Sequence, residues 1–240
     1  MTVSLPVLVL RPEPGAAATV DAARAMGLDA RAMPLFVVRG ISWQPVPRKQ
    51  VDALLLGSAN ALRQGGDALA LYHGMPAYAV GVKTAEAARA VGLDVIATGQ
   101  GGLQQMLGAL RPEHRRLLRL AGRERVELDV PVGITILTRD VYASEPLPQP
   151  ADFAHTMTQP ALVLLHSGEA AARFATLCDE TCIARDRVLV AAIAPRVATR
   201  AGKGWATLRS AKQPNDAALL ALAAEMCEEA GSGSPLPEQG

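Results

Sequence analysis

The sequence predicts an α/β protein made of two similar lobes, each a parallel sheet flanked by helices. First, short continuous apolar runs alternate with helical patterns, as is typical of strands buried on both faces of a parallel sheet. Second, one order of elements occurs twice, in Asp52–Leu110 and in Pro160–Met226. That order is strand, serine, helix, strand, glycine or alanine, helix, strand and helix.

The apolar runs give the strands, and the stretches between them give the helices. The predicted strands are Val7–Leu10, Ala53–Leu56, Ala77–Val80, Asp94–Ala97, Leu117–Leu120, Ile134–Leu137, Ala161–Leu165, Val188–Ile193 and Ala206–Leu208. The predicted helices are Ala16–Met26, Ala59–Leu71, Thr84–Val91, Gly102–Leu110, Arg123–Asp129, Glu169–Cys178, Arg196–Ala201 and Asp216–Glu228. The segment 231–240 is rich in glycine, serine and proline and is predicted to be disordered.

Composition limits the partners of the protein. The net charge is +1, without the clustered basic face that nucleic-acid binding requires. No apolar run approaches the roughly 20 residues of a membrane span, and the N-terminus does not resemble a signal peptide. The three cysteines are an odd number, which argues against a disulfide framework. We therefore expect a cytoplasmic protein that binds neither nucleic acid nor membrane.

Each lobe needs one strand–helix–strand entry unit in addition to one copy of the repeat. The entry units precede the first copy and lie between the two copies, so two arrangements are possible. Either the first lobe is residues 1 to about 120, or the chain crosses over, with 38–141 as one lobe and 1–35 together with 145–240 as the other. In the crossover arrangement the candidate linkers are Phe36–Val38 and Tyr142–Glu145. The pattern alone does not choose between the two arrangements.

Hydroxyl residues open three of the predicted helices, each directly after a strand. Ser58, Thr84 and Ser167 can cap these helices by accepting from backbone N–H groups. The same positions can instead serve binding, because helix N-termini attract anions and ligands of open α/β sheets lie beyond the carboxyl ends of the strands. Two such lobes facing each other would form a cleft in which a nearly neutral protein could bind a polyanion.

Basic residues in loops after strands are candidates to meet a carboxylate. Arg11 and Lys83 are the strongest, because each lies just past the carboxyl end of a strand. Solvated surface charge is the alternative for each one taken singly. Tyr142 follows the strand Ile134–Leu137 at a predicted linker, where its phenol could donate a proton to a leaving oxygen or could simply pack at a hinge. The full set of basic loop residues is Arg11, Lys83, Arg123, Arg125, Arg139 and Arg196.

Motifs for cofactors and metals are absent from the sequence. It contains neither GxxxxGK[ST] nor a GxGxxG after a strand, and it lacks HExxH, CxxC and GxSxG. Cys178 and Cys182 lie four residues apart without a second pair, which is a weak zinc signal. We therefore expect no cofactor and no metal.

The chain resembles the uroporphyrinogen-III synthase family over most of its length. The matching blocks, in the family's order, are LVLRP (8–12), GLDARAMPLF (27–36), DALLLGSANAL (52–62), YAVGVKTAEAARAVG (78–92), LLRLAGRERVEL (117–128), DVY (140–142), ALVLLHSGEAAARF (161–174) and AAIAPRVATRAGKG (191–204). The resemblance implies two α/β lobes joined by a two-stranded connector, and it favours the crossover arrangement. It also implies a lyase without cofactor that closes the linear tetrapyrrole hydroxymethylbilane into a macrocycle while inverting ring D.

The resemblance also implies roles for particular residues. Tyr142 matches a tyrosine proposed to assist departure of the hydroxyl group, and Gly81 matches a glycine that lets the backbone approach the substrate. The family motif Gly-Pro-x-Thr is replaced in the second copy by Ala194–Val197, so one hydroxyl is lost, and His166 stands where the family often has threonine. Taken together with Arg11 and Lys83, which are chosen for their position after strands, the residues expected to bind substrate are Arg11, Ser58, Gly81, Lys83, Thr84, Ser167, Pro195, Arg196 and Val197.

Two other function classes are compatible with parts of the pattern. A two-lobed small-molecule binder or sensor without catalysis would share the cleft and the hinge. A receiver-like signalling module would need an acidic cluster after the first strand, where this chain has Leu10-Arg11-Pro12. Isomer analysis of the product from hydroxymethylbilane separates the enzyme from the binder, because a binder leaves only the spontaneous type I product.

Overall fold

The computed structural model describes residues 5–232, and the chain forms two compact units. The first unit is the chain up to Val37 together with the chain from Pro146 on, and the second unit is Val38–Glu145. The tail predicted at 231–240 is described only at its start. Gly231 is the last residue of the final helix, so this helix extends further than expected, and residues 233–240 lie outside the described part.

Strands and helices alternate through both units. In chain order the strands are β1 (Val7–Val9), β2 (Ala30–Ala32), β3 (Phe36–Gly40), β4 (Ala53–Leu56), β5 (Pro76–Val80), β6 (Asp94–Gly99), β7 (Arg116–Gly122), β8 (Thr135–Pro146), β9 (Ala161–Leu165), β10 (Val188–Ala192) and β11 (Thr207–Ser210). The α-helices are α1 (Gly15–Ala25), α2 (Ala59–Gln64), α3 (Val82–Ala90), α4 (Leu103–Met106), α5 (Phe153–Thr156), α6 (Gly168–Glu180), α7 (Pro195–Ala201) and α8 (Asp216–Gly231). Short 3-10 segments lie at Arg48–Gln50, Asp67–Tyr72, Leu107–Ala109 and Arg185–Arg187.

The first unit contains a parallel sheet in the order β11-β10-β9-β1-β2. Alternate residues of its strands enter two apolar clusters, because successive side chains of a strand point to opposite faces. Val163 and Leu165 belong to the cluster that includes α6 and α7, whereas Leu162 and Leu164 belong to the cluster that includes α1 and α8. The sheet is therefore covered by helices on both faces, which explains why β9 is a continuous apolar run.

The second unit contains a sheet in the order β3-β8-β7-β4-β5-β6. The strands from β8 to β6 are parallel to their neighbours. At the edge, β3 pairs with β8 in the antiparallel sense, because Leu147 N–H donates to the Leu35 carbonyl while Ile41 N–H donates to the Val141 carbonyl. The chain passes between the units twice, once in β3 and once in β8.

The five parallel strands of the two units have the same spatial order. Strands β9, β10 and β11 correspond to β4, β5 and β6, and β1 and β2 correspond to β7 and β8. The second unit is thus a circular permutation of the first. Register fixes the equivalent residues: Leu164 lies opposite Val9 and Leu55 lies opposite Arg119, and each leucine is three residues before the serine that caps the next helix. Arg119 is therefore the counterpart of Val9.

The helix predicted at Arg123–Asp129 is wrong, because the described chain forms a loop there. The apolar residues Val126 and Leu128 are two positions apart, so a helix would not place them on one face. In the loop, Leu128 packs against the core while Val126 is exposed. As a result, α1 has no helical counterpart in the second unit.

Two other predicted elements differ in length from the structure. The helix predicted at Ala59–Leu71 ends at Gln64, since Gly65 and Gly66 follow and Gly66 has a positive φ of 65°. The strand predicted at Ile134–Leu137 extends to Pro146 as β8. Tyr142, which was expected in a linker, therefore lies inside a strand.

Candidate functional site

The strand order of each unit reverses at one place along its carboxyl edge. In sheets of this kind ligands bind outside the carboxyl ends of the strands, at the point where the order reverses. In the first unit this point lies between β1 and β9, which lead into Arg11 and Ser167. In the second unit it lies between β7 and β4, which lead into Arg123 and Ser58. The topology therefore brings a basic residue and a hydroxyl to the switch point of each unit.

Ser58 and Ser167 are N-caps, as the sequence predicted. The Ser58 hydroxyl oxygen accepts from the Asn60 N–H at 3.2 Å, and that of Ser167 accepts from the Ala170 N–H at 3.2 Å. A serine hydroxyl that accepts a hydrogen bond retains its own proton as a donor. Both serines are half-buried, so each can cap its helix and donate to a ligand at the same time.

Thr84 does not cap a helix, and this prediction is wrong. The N-cap of α3 is Gly81, with φ 82° and ψ 150°, and Thr84 is the third residue of the helix, where it is buried. The Gly81 N–H donates to the Gly99 carbonyl at 2.8 Å, so this donor is already used within the unit. A Cβ built on Gly81 meets no atom within 4 Å. The glycine is therefore required by its backbone conformation, and the space beside it is open.

Val197 is the counterpart of Thr84 in the first unit. Ala194 is the N-cap of α7, and Val197 is the third residue of that helix, with no exposed surface. Its side chain belongs to the apolar core, so it offers no surface to a substrate. The hydroxyl missing from this copy of the motif was thus lost at a position that faces the interior.

Cations occupy the same position in the first turn of two equivalent helices. Lys83 is the second residue of α3 and Arg196 is the second residue of α7, and both are exposed, as is Pro195 beside Arg196. The partial positive charge of a helix N-terminus disfavours a cation there. The repeated arrangement therefore concentrates positive charge at the carboxyl edge of each sheet, as an anion-binding role requires.

Arg11 already has an acidic partner within its unit. Its Nη1 atom lies 2.8 and 2.9 Å from the two carboxylate oxygens of Asp216 and 3.3 Å from the Thr19 hydroxyl. Asp216 also lies 3.4 Å from Nε2 of His166, whose side chain is only 6% exposed. Burial lowers the pKa of His166, outweighing the nearby carboxylate. The three side chains form a cluster at the switch point of the first unit.

Tyr142 lies where β7 ends beside β8. It is half-buried against the core of the second unit, and its carbonyl accepts from the Arg123 N–H at 2.9 Å. A Cβ on Gly122 would lie 2.8 Å from two ring carbons of Tyr142. A larger residue at position 122 would force the ring to shift, so Gly122 allows the phenol to lie over the end of β7.

The structure groups the predicted residues by unit. Within the second unit, Ser58 and the segment 81–84 follow the neighbouring strands β4 and β5, while Tyr142 lies on β8 and is separated from β4 by β7. Within the first unit, Arg11, Ser167 and Pro195–Arg196 follow the neighbouring strands β1, β9 and β10. The sequence did not indicate Asp216 as the partner of Arg11, since 205 residues separate them.

Two absences within residues 5–232 limit the kinds of site present. Across this range there is no group of three or more histidine, cysteine or acidic side chains placed to hold a metal ion. None of the helices within it combines the length and apolar character needed to cross a bilayer.

Comparison with known proteins identifies the family. The family model described as uroporphyrinogen-III synthase HemD matches residues 17–221. The uroporphyrinogen-III synthetase structure from Helicobacter pylori is 16% identical with a TM-score of 0.64, covering 93% of this chain and all of that one. A mutant uroporphyrinogen III synthase from Thermus thermophilus is 15% identical with a TM-score of 0.52, covering 95% of this chain and all of that one. Comparison with curated proteins gave no match. On the family model, this chain belongs to the uroporphyrinogen-III synthase family of cofactor-independent lyases.

Proposed function

We propose that this chain closes hydroxymethylbilane to uroporphyrinogen III, with inversion of ring D and loss of one water. Family membership supports the reaction. One observation supports assigning the reaction to the residues described above. At the carboxyl ends of the strands, both units have a capping serine and a first-turn cation in equivalent positions. A polyacidic linear substrate needs many weak donors along its length, and a duplicated edge supplies them.

The acetate and propionate arms of the substrate would bind at these edges. Ser58 and Ser167 donate their hydroxyl protons, and the first-turn backbone N–H groups of the helices add donors that a helix leaves unpaired. Lys83 and Arg196 supply positive charge in the first turns of α3 and α7. In this proposal Gly81, Thr84, Pro195 and Val197 shape the backbone of these turns, and their side chains do not contact the arms.

Arg11 would bind an arm only in competition with Asp216. The ion pair between them is about 30% exposed on each side, so solvent screens it and a second carboxylate can approach. A substrate arm would share the guanidinium, which has five donors. Neutral His166 beside the pair adds no competing charge at pH 7.

Tyr142 is proposed to assist the first chemical step. Its phenol donates a hydrogen bond to the terminal hydroxyl of the substrate. The substrate loses this hydroxyl group together with the N–H proton of the same pyrrole ring, which amounts to one water, and becomes an electrophilic azafulvene. The azafulvene carbon then bonds to the substituted carbon of ring D, forming a spiro intermediate. The original bond between the substituted carbon of ring D and its bridging carbon then breaks. The bridging carbon bonds to the free carbon of ring D, which loses its proton, so the macrocycle closes with ring D inverted.

Positioning is the main contribution of the protein in this mechanism. The azafulvene forms readily, and closure in water gives the type I isomer without inversion. The chain must therefore hold the substrate so that attack at the substituted carbon is faster than attack at the free one. Loss of any single donor is expected to slow the reaction without abolishing it.

We further propose that the protein acts as a monomer in the cytoplasm and binds neither nucleic acid nor membrane. The three cysteines, Cys178, Cys182 and Cys227, are all free, which is typical of a reducing compartment. The net charge of +1 supports a small-molecule partner rather than a nucleic acid.

The proposal is tested by supplying hydroxymethylbilane and measuring the isomers formed. Type III product supports synthase activity, whereas type I product alone would leave a binder or sensor. Tyr142→Phe is then compared with the wild type, and we expect turnover to fall by roughly 10- to 100-fold with the fold intact. This lies at or below the lower end of the roughly 10²–10⁴-fold contribution of general acids, because the phenol supplies a hydrogen bond and does not transfer its proton completely.

Tyr78→Phe is the matched control in the same unit. The Tyr78 hydroxyl is buried, lies 2.8 Å from Nδ1 of His114 and accepts from the Arg111 N–H, so the same chemical change there affects stability only. Equal turnover in Tyr142→Phe and the wild type would remove Tyr142 from the mechanism.

A further inference from the structure

A basic cavity of about 430 Å³ lies within the second unit, beside the loop that replaces a helix. Its walls come from the chain after β3, the loop after β7 and the middle of β8, and they include Trp43, Arg123, Arg125, Arg139 and Asp140. This volume lies within the range of pockets that hold small ligands. The sequence indicated Arg123, Arg125 and Arg139 as separate basic loop residues that could meet a carboxylate, and the structure brings the three together in this one cavity.

Among residues 5–232, two of the three guanidinium groups in this cavity have no acidic partner. Arg125 forms an ion pair with Asp140. Arg139 donates to the carbonyls of Gln44 and Thr138 at 3.0 and 2.9 Å but meets no carboxylate. The Arg123 side chain makes no hydrogen bond or ion pair within residues 5–232. The cavity therefore carries positive charge that the described part of the chain does not neutralise.

A fourth guanidinium strengthens the positive potential of the cavity. Arg119 lies beside Thr138 in the sheet and is only 6% exposed, with its Nε atom unpartnered. Its pKa is lowered by burial and further by the nearby charge of Arg125, while Glu127, Tyr142 and Asp140 oppose this lowering. An anion in the cavity would relieve this repulsion among the arginines.

We propose that this cavity binds one carboxylate arm of the substrate through Arg123 and Arg139. The inference rests on the proposed function, and it adds to that function a binding pocket in the second unit. Guanidinium groups match the planar carboxylate and can form paired hydrogen bonds to it. The half-buried indole of Trp43 offers an apolar wall for the attached pyrrole ring.

The position of the cavity gives the bound arm a role in the reaction. Asp140 lies two residues before Tyr142 on β8, and the pairing of β7 with β8 shifts register between these two positions. The Arg123 N–H, next to the end of β7, donates to the Tyr142 carbonyl. An arm held by Arg123 would therefore fix its pyrrole ring at a set distance from the phenol. Arg123 and Arg139 are positioning residues in this proposal.

The test measures binding of a monopyrrole that carries one acetate and one propionate arm to the full-length chain. Trp205→Phe leaves Trp43 as the only tryptophan, so its fluorescence reports the cavity directly. We expect Arg123→Gln and Arg139→Gln each to raise the Kd about tenfold, the scale of one charge-assisted hydrogen bond. Arg89→Gln, an exposed arginine on α3 of the same unit, is the matched control and should leave the Kd unchanged.

Three further measurements complete the experiment. The dimethyl ester of the same pyrrole, tested on the chain with both arginines present, should not bind, and equal binding of ester and acid would overturn the proposal. Inorganic phosphate that binds more tightly than the pyrrole would overturn the assignment of a carboxylate arm. With hydroxymethylbilane as substrate, both arginine variants should raise KM more than they lower kcat.

Failure of this inference is distinguishable from failure of the proposed function. If the arginine variants bind the pyrrole as tightly as the wild type while the wild type still forms the type III isomer, the cavity proposal is wrong and the synthase assignment stands. If the wild type forms only type I product but binds the pyrrole through these arginines, the synthase assignment is wrong and the anion-binding cavity stands.

Discussion

Gly81→Ala tests the account of the repeated turn, because the two copies solve it differently. Gly81 has φ 82° and ψ 150°, whereas its counterpart Ala194 has φ −159°. The conformation of Gly81 is essentially restricted to glycine and costs other residues about 1–3 kcal/mol. A Cβ at Gly81 would meet nothing within 4 Å, so no steric clash adds to this strain. Reduced freedom of the unfolded chain returns about 0.4–1 kcal/mol. The free energy of unfolding should therefore fall by about 1–2 kcal/mol.

Urea unfolding followed by Trp43 fluorescence in the Trp205→Phe background reports on the unit that contains the change. Gly108→Ala is the matched control, since a Cβ there also meets open space and the residue lacks a positive φ. This control should be neutral or more stable by up to about 1 kcal/mol. If Gly81→Ala is as stable as Gly108→Ala, the conformational argument for Gly81 is refuted.

Two further predictions concern buried charge. Arg119→Met should leave the free energy of unfolding unchanged or raise it by about 1 kcal/mol, because it removes a buried guanidinium whose Nε is unpartnered. The Val126 carbonyl, which accepts from Arg119, belongs to an exposed residue and can bond to water instead. A loss above about 2 kcal/mol in urea unfolding would contradict this prediction. Burial lowers the pKa of His166 in the folded protein, so the unfolded chain binds the proton more readily. The free energy of unfolding should therefore fall as the pH drops below 6.5, the pKa of histidine in the unfolded chain. The fall is at most about 1.4 kcal/mol per pH unit. His166→Thr should flatten the pH dependence of Tm between pH 7 and pH 5, and an unchanged slope would show that another group controls it.

The strands and the duplicated order were predictable because each depends on local pattern. Two fully buried strands, Ala53–Leu56 and Ala161–Leu165, have the predicted bounds, since helices on both faces demand unbroken apolar runs. The capping serines were predictable for the same reason, because the cap satisfies backbone donors within its own turn.

The features that the sequence did not reveal depend on contacts between distant segments. The Arg11–Asp216 pair joins residues 205 apart, so the sequence shows Arg11 only as a basic residue after a strand. The burial of Val197 and Thr84 depends on the direction in which each helix leaves its sheet. The loop at Arg123–Asp129 was misread because its charges suit a helix surface, whereas its apolar spacing does not. Domain limits at 35, 38, 141 and 145 stay a prediction, which limited proteolysis would test.

The most direct test of the central claim is the isomer ratio formed from a fixed amount of hydroxymethylbilane at increasing concentrations of the chain. Closure in buffer competes with closure on the protein, so the fraction of type III product should rise from near zero towards completeness as the chain is added. A product that stays type I at every concentration, although the substrate binds, would contradict the account.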